Sequence, residues 1–144
     1  MRRFLGSNKL SLIKAYQETT YRLLDFELPF SARIGVKSDH ADNFMTRHKL
    51  QQLFFITAEN PSSNQWSEKW NAVFTAALMK EILKRGFATW PAVAVPDGDW
   101  PKEHGFFVSC KTGDAVSLAR FYEQNAIVMI PKNEAPLLVF CQKI

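Results

Sequence analysis

The amino-acid sequence predicts a single α+β domain, with a mixed β-sheet of about five to six strands and about three helices packed on it. The chain has 144 residues, which is near the usual size of one compact domain. Apolar residues make up 47% of it and charged residues 22%, as in ordinary globular proteins. Turn residues and apolar periodicity divide residues 1–144 into the order α, β, β, α, β, β, α, β, β. That order favours helices packed on a mixed sheet over a doubly wound domain.

The first predicted helix begins at Ser11, which can cap it, and ends near Asp25. Residues at spacings of three and four form one face of it: Leu12, Ile13, Tyr16, Thr20, Leu23 and Leu24. Apolar and mostly polar residues then alternate from Phe26 to Val36, which is typical of a half-buried strand. Pro29 lies inside that pattern. Because proline has no N–H group, we predict an edge strand or a break there.

A polar segment and a buried strand follow. Residues 37–49 have mixed charge, so we predict a loop with a short helical turn near residues 45–52. The run from Leu53 to Ala58 is apolar without alternation, which predicts a central strand covered on both faces. It runs into residues 59–64, a cluster of turn formers.

The longest predicted helix spans residues 67–85, with Ser67 as its cap and Gly86 just after its last turn. Asn71 lies on its apolar row, one turn before Phe74, so the amide is predicted to point inward. The rest of the chain predicts strands at residues 87–95, 106–110, 126–130 and 137–140, a polar hairpin connection at 96–105 and a helix at 114–124.

The net charge of +4 lies in the first 50 residues, which hold nine Lys or Arg and five Asp or Glu, whereas the rest hold nine of each. A basic N-terminal third favours partners such as RNA, the ribosome or an acidic protein, although no nucleic-acid-binding motif accompanies it. We predict a flexible basic start at residues 1–10. The start lacks the apolar run of a signal peptide, and no stretch is long enough to span a membrane, so the expected location is the cytoplasm.

The strongest local signal for a site is the segment from Thr57 through Asn60 to Ser63, which joins the predicted central strand to the longest helix. Unpaired N–H groups at a helix start attract anions, and the Ser hydroxyl can add a donor. The segment has no glycine, so it cannot wrap a phosphate as closely as a Walker loop does. The alternative is a simple turn begun by Asn60 and Pro61. Asn71 either binds a ligand beside this segment or braces it.

The polar connection contains Asp97, Asp99, Glu103 and His104, which are groups that bind metals or transfer protons. Their spacing fits no calcium loop, and for Asp97 and Asp99 a solvated hairpin loop is the simpler interpretation. Glu103 follows Trp100, and an aromatic ring beside a carboxylate can form the wall of a pocket. Gln124 is the last residue of the helix predicted at 114–124. Its side chain either faces a cleft or belongs to the helix end that Asn125 caps.

No metal site and no cofactor is predicted. Cys110 and Cys141 match no metal or redox motif and are expected to be buried free thiols. The three histidines have no nucleophile motif near them.

A set of short strings along the chain resembles the bacterial domain-of-unknown-function family 3293, from about Leu12 to Val139. These strings are Ala15-Tyr16, Thr20-Tyr21, Arg33-Ile34-Gly35, Ile56-Thr57-Ala58-x-Asn60-Pro61-x-Ser63, Asn71, Leu78, Gly86, Trp100 with Glu103, and Gln124-Asn125-Ala126. The resemblance implies no established activity. It groups polar residues that also lie near predicted strand ends or inward faces: Arg33, Thr57, Asn60, Ser63, Asn71, Glu103 and Gln124.

We therefore predict one polar cleft at the strand-to-helix junction that binds an anionic or nucleotide-like small molecule. Arg33 is predicted as the charge partner, Asn60 and Ser63 as donors, Trp100 as a pocket wall and Glu103 as a general acid or base. Whether the protein is an enzyme stays open. The alternatives are a non-enzymatic RNA-, ribosome- or protein-binding module that uses the basic N-terminal third, and a structural subunit that exposes Trp66, Trp70 or Trp90.

Overall fold

A computed structural model of the chain describes residues 9–142. Within that range the helices are α1 (Lys9–Gln17), α2 (Asp39–Arg47), α3 (Glu68–Lys84) and α4 (Thr112–Phe121). The strands are β1 (Thr19–Leu23), β2 (Ser31–Ala32), β3 (Gln52–Thr57), β4 (Ala88–Pro96), β5 (Glu103–Ser109), β6 (Ala126–Pro131) and β7 (Leu137–Phe140), and a short 3-10 helix covers Pro61–Ser63. The α+β class is confirmed, but these residues form four helices and seven strands, more than predicted.

The seven strands form one sheet in the order β2-β1-β4-β5-β3-β6-β7. Every neighbouring pair is antiparallel, so the predicted mixed sheet is wrong. Helix α3 does connect two strands that run in the same direction, β3 and β4, but β5 lies between them. The helix α4 connection likewise joins β5 to β6, with β3 between them. Each crossover therefore leaves room for a strand of opposite direction.

The sheet curls, and both of its faces are covered. After β2, the Gly35 N–H donates to the carbonyl of Pro136, just before β7, over 2.9 Å. Since β2 and β7 are the outermost strands, this bond brings the two edges of the sheet together at one point. One face of the sheet, here called the α2 face, packs against Phe44 and Met45 of α2. The opposite face, here called the α3 face, packs against Leu78 of α3 and Leu118 of α4.

Strand β3 confirms the predicted strand that is covered on both sides. Leu53 and Phe55 belong to the core on the α2 face, while Phe54 and Ile56 belong to the core on the α3 face. All four side chains are at most 4% exposed. Burying each of them stabilises the fold by about 2 kcal/mol, which anchors the segment that follows the strand.

The first predicted helix is too long. Helix α1 ends at Gln17, and the next five residues form β1, in which Thr19, Tyr21 and Leu23 alternate as the buried positions. Thr19 and Thr20 are β-branched, and pairing with β4 satisfies their backbone groups, so the strand forms instead of another helical turn.

The strand predicted over residues 26–36 is also wrong for most of its length. Asp25 Oδ1 accepts the N–H groups of Glu27 and Leu28 at 2.7 and 2.9 Å, which makes a turn. Only Ser31–Ala32 pairs as β2 at the sheet edge. Pro29 lies in the intervening loop, as its missing N–H group favours.

The loop predicted over residues 37–49 is wrong, because most of it is helix α2. Ser38 caps the helix by accepting the Ala41 N–H at 3.2 Å. Ala41, Phe44 and Met45, spaced three and four apart, are buried. Asp39, His40 and Arg47 are exposed, but Asp42 is buried beside the apolar residues, so its charge interrupts the apolar pattern in the sequence.

Helix α3 matches its prediction. Ser67 Oγ accepts the Trp70 N–H at 3.2 Å, and Gly86 takes a left-handed φ of 77° after the last turn. Most of the predicted flexible start, residues 1–8, lies outside the described residues, and its last two residues begin α1. Among residues 9–142, no helix has both the length and the apolar character that a bilayer crossing requires.

Candidate functional site

The connection between β3 and α3 is held in an uncommon backbone conformation. Asn60, Ser62 and Ser63 have φ values of 49°, 56° and 60°, in the left-handed region that glycine usually occupies. Each such residue costs on the order of 1 kcal/mol, so the surroundings must hold the connection in place. One tie is the Ser62 N–H, which donates to the carbonyl of Glu123 after α4 over 2.7 Å.

Asn60 is the hub of the connection and is only 3% exposed. Its Oδ1 accepts the Trp66 backbone N–H at 2.8 Å and the Asn71 Nδ2 at 2.9 Å. Its Nδ2 donates to Glu103 Oε2 at 2.7 Å, and its own N–H donates to Asn71 Oδ1 at 2.9 Å. Asn71 therefore points at this connection and braces it, which is one of the two alternatives that the sequence left open.

Glu103 begins β5 and lies beside Trp100. The indole Nε1 donates to Glu103 Oε2 at 3.0 Å, so that carboxylate oxygen receives both this bond and the one from Asn60. Glu103 also lines a cavity of about 20 Å³ together with Thr57, Tyr16 and Tyr21. This volume has room for about one water molecule.

Gln124 and Ser63 join the connection to the loop that follows α4. The Gln124 Nε2 donates to the carbonyl of Glu59 at 3.1 Å, and Gln124 is buried. The Asn125 Nδ2 donates to Ser63 Oγ at 2.8 Å. Thus Gln124 faces the strand-to-helix junction, and Ser63 accepts a bond from Asn125.

A groove of about 700 Å³ runs between α3 and the first residues of β5. This volume is in the range of small-molecule binding sites. Trp66, Met79 and Phe106 contribute apolar surface to it. Its polar lining residues are Glu59, Asn60, Gln65, Glu68, Asn71, Thr75, Lys102 and His104. The groove therefore adjoins the Asn60 hub and offers both aromatic and charged groups.

Glu59 is a buried carboxylate in this groove that sequence reasoning missed as a site residue. Its Oε1 accepts the His104 backbone N–H at 3.1 Å, and its Oε2 lies 3.0 Å from the Thr75 hydroxyl. The His104 Nδ1 is 3.7 Å from the same Oε2. The Glu59 side chain is 8% exposed and that of His104 is 64% exposed. The only sequence signal was a charged residue that directly follows an apolar strand.

Thr57 fixes the start of this arrangement. Its hydroxyl donates to the carbonyl of His104 at 2.7 Å and accepts the Glu59 N–H at 3.1 Å. This ties the end of β3 to β5 and determines where the Glu59 backbone leaves the sheet.

Arg33 lies apart from the groove and is not among the residues that line it. Its guanidinium donates to both Asp97 oxygens at 3.1 and 3.0 Å, to Thr20 Oγ1 at 2.9 Å and to the Gln17 carbonyl at 3.1 Å. The hydrogen bond between the two side chains lowers the pKa of Asp97 and raises that of Arg33. Both terminal nitrogens of Arg33, the predicted charge partner of the ligand, are thus hydrogen-bonded within the protein.

The structure brings most of the predicted site residues together at one junction. Asn60 contacts Asn71 and Glu103 directly, and Trp100 contacts Glu103. Thr57, Ser63 and Gln124 support the same connection from its two sides. Their polar groups bond mainly to one another, so the surface open to a ligand is the groove beside them.

The fold and the groove define a small α+β protein with an antiparallel sheet and a ligand-sized groove where β3 leads into α3. The family model described as "Protein of unknown function (DUF3293)" matches residues 56–127, half of the chain. The chain belongs to this family. The matched segment includes every residue that lines the groove, and Arg33 lies outside it. No curated protein and no solved structure matches the chain.

Proposed function

We propose that the groove along α3 binds a small anionic, nucleotide-like molecule. The observation that carries the proposal is that the ring of Trp66 and the cationic side chain of Lys102 line the same groove of about 700 Å³. Sites for drug-sized ligands combine apolar walls with a few polar groups in this way. An aromatic face suits a base, and a cation suits a phosphate.

Trp66 is held in a way that favours stacking. Its backbone N–H donates to Asn60 Oδ1, and its ring meets Phe74 edge-on with 5.3 Å between centroids. The residue is 43% exposed, so part of the ring is open to a ligand. Stacking of a base on such a ring is worth about 1–3 kcal/mol, and a ring that is already fixed loses little entropy on binding.

Lys102 takes the role that the sequence assigned to Arg33. It is exposed at the rim, next to Pro101 and near His104, whose side chain is 64% exposed. A phosphate at this rim would meet a flexible ammonium group and an imidazole. Asn60, Asn71, Ser63 and Gln124 then serve to shape the groove. Glu103 as a general acid or base stays a prediction.

Isothermal calorimetry with AMP, GMP and ribose 5-phosphate tests this proposal on the full chain. We expect both nucleotides to bind, and ribose 5-phosphate to bind at least about tenfold more weakly because it has no base to stack. Absence of heat with every nucleotide at millimolar concentration would refute the proposal.

Two matched pairs of variants locate the binding. Trp66→Ala should weaken nucleotide binding about tenfold, whereas Trp70→Ala, which removes an exposed ring of α3 that does not line the groove, should not. Lys102→Ala should weaken AMP more than adenosine, whereas Lys69→Ala, on the same helix as Trp70, should affect neither. Equal effects within a pair would place the ligand elsewhere.

The alternative of an RNA, ribosome or acidic protein partner stays a prediction. Two of the cations that suggested it are engaged by acids, since Arg33 pairs with Asp97 and Lys37 lies 2.7 Å from Asp42 and 3.1 Å from Asp39. Fluorescence anisotropy with RNA at low and moderate salt tests it, because such binding must weaken steeply as salt rises.

A further inference from the structure

We infer that the groove selects a base that presents two adjacent N–H donors to Glu59, as guanine does. This inference rests on the proposed nucleotide binding and names the kind of base. Its basis is a carboxylate that lines the groove, is nine-tenths buried and is held by few donors.

The bonds to Glu59 leave part of its capacity unused. An ionised carboxylate has about four acceptor sites. Oε1 accepts one backbone N–H, from His104. Oε2 lies 3.0 Å from the Thr75 hydroxyl, but that hydroxyl is also 2.9 Å from the carbonyl of Asn71. A hydroxyl has one proton, so only one of these two acceptors receives it at a time.

A buried carboxylate with so few donors is costly, and the imidazole Nδ1 of His104, 3.7 Å away, is too far to donate a hydrogen bond. A ligand that brings N–H groups to both oxygens would offset that cost. The ligand must do so while its flat face lies against an aromatic wall such as Trp66, which also lines the groove.

Guanine meets both requirements. Its N1–H and N2–H₂ groups are adjacent donors on one edge and can bind the two oxygens of a carboxylate as a pair. Hypoxanthine has the N1–H group but lacks the amino group. Adenine has an acceptor at N1, whose lone pair would face the carboxylate. Hydrogen bonds to a charged group are stronger than those between neutral groups, so the protein should bind the three bases with clearly different affinities.

Calorimetry on the full chain with GMP, IMP and AMP tests the inference. We expect GMP to bind about tenfold more tightly than IMP, and IMP more tightly than AMP. Equal affinities for the three would overturn the inference and leave nucleotide binding intact. If none of the three binds, both the inference and the proposed function fail. Free arginine binding more tightly than GMP would identify a guanidinium site and would also overturn it.

The variant Glu59→Gln tests the assigned group. Glutamine has the same shape and can still accept the His104 N–H, but its amide nitrogen would meet the donors of guanine. We expect GMP binding to fall to the AMP level in this variant. Glu134→Gln, which changes an exposed carboxylate outside the groove, should keep the full preference. If Glu59→Gln does not fold, as judged by circular dichroism, the nucleotide series on the unmodified protein decides alone.

Discussion

Replacing Asn60 with alanine should destabilise the protein more than any other single change at the β3–α3 connection. The change removes two bonds to Oδ1, from Trp66 and Asn71, and one bond from Nδ2 to the Glu103 carboxylate. At about 1 kcal/mol for each neutral bond and about 2 kcal/mol for the charged one, the loss is about 4 kcal/mol. Alanine is also less tolerant than asparagine of a φ of 49°, which adds about 1 kcal/mol.

Urea unfolding, followed by circular dichroism and tryptophan fluorescence, measures this loss. The two contributions add to about 5 kcal/mol, and since 1 kcal/mol corresponds to about 3 °C in Tm for a chain of 144 residues, thermal unfolding should show a Tm about 15 °C lower. Asn60→Gly should lose about 1 kcal/mol less than Asn60→Ala, because glycine adopts the left-handed conformation freely. The difference between the two variants isolates the backbone cost from the cost of the lost bonds.

The matched control is Asn43→Ala on the exposed side of α2, which should change stability by less than about 0.5 kcal/mol. A loss below about 1.5 kcal/mol for Asn60→Ala would refute the reasoning. It would mean that water replaces the amide and that Asn60 does not hold Trp66, Asn71 and Glu103 together.

Three further changes test other parts of the fold. In Gly105→Ala, the new Cβ would press on the carbonyl oxygen of Ile56 and lie 2.9 Å from Phe55 Cζ, so urea unfolding should show a free energy of unfolding lower by at least about 2 kcal/mol. The control is Gly113→Ala in helix α4, where the new Cβ has nothing within 4 Å, and its free energy of unfolding should rise by about 0.5–1 kcal/mol. Burial raises the pKa of Cys110 to about 12 and that of Cys141 to about 11. A thiol reagent at pH 8 should therefore react slowly with the folded protein and fast with the protein unfolded in urea. Fast reaction of the folded protein would contradict this burial. Because Arg33 lowers the pKa of Asp97, their ion pair stabilises the fold above the usual aspartate pKa and is lost as the pH falls through the lowered value. Asp97→Asn should therefore lower Tm at pH 7 in low salt and have no effect in strong acid, and a Tm difference that is the same at every pH would contradict the pairing.

The elements that could be predicted are those whose local signals agree. Strand β3 combines an unbroken apolar run with a cluster of turn formers, and α3 has both a capping serine and a terminal glycine. The region of α1 and β1 fails because Tyr16, Thr20 and Leu23 fit a helical spacing, while Thr19, Tyr21 and Leu23 fit a strand. Pairing with β4, which is more than 60 residues away in the chain, decides between the two patterns.

The candidate site was predictable where a polar residue lies on an apolar face. Asn71 was predicted to point inward beside Asn60, and the two amides do bond to each other. Arg33 was grouped with them by the family resemblance, but its partner Asp97 is 64 residues away, and no local sequence pattern indicates that pair. Glu59 was missed because a charged residue after a strand normally signals a solvated turn, whereas α3 and β5 pack against it and bury it.

The bond between Gly35 and Pro136 has a consequence for how the chain folds. It joins residues about 100 positions apart, so closing that loop costs more entropy than forming the β4–β5 hairpin or α3, and we expect the bond to form after them. Folding dominated by such distant pairings takes milliseconds to seconds. Gly35→Pro removes the donating N–H group and also cannot adopt the φ of 82°, so we expect it to speed unfolding and leave the folding rate almost unchanged. We therefore expect this contact between the two edges of the sheet to contribute to the unfolding barrier, by about the strength of one hydrogen bond.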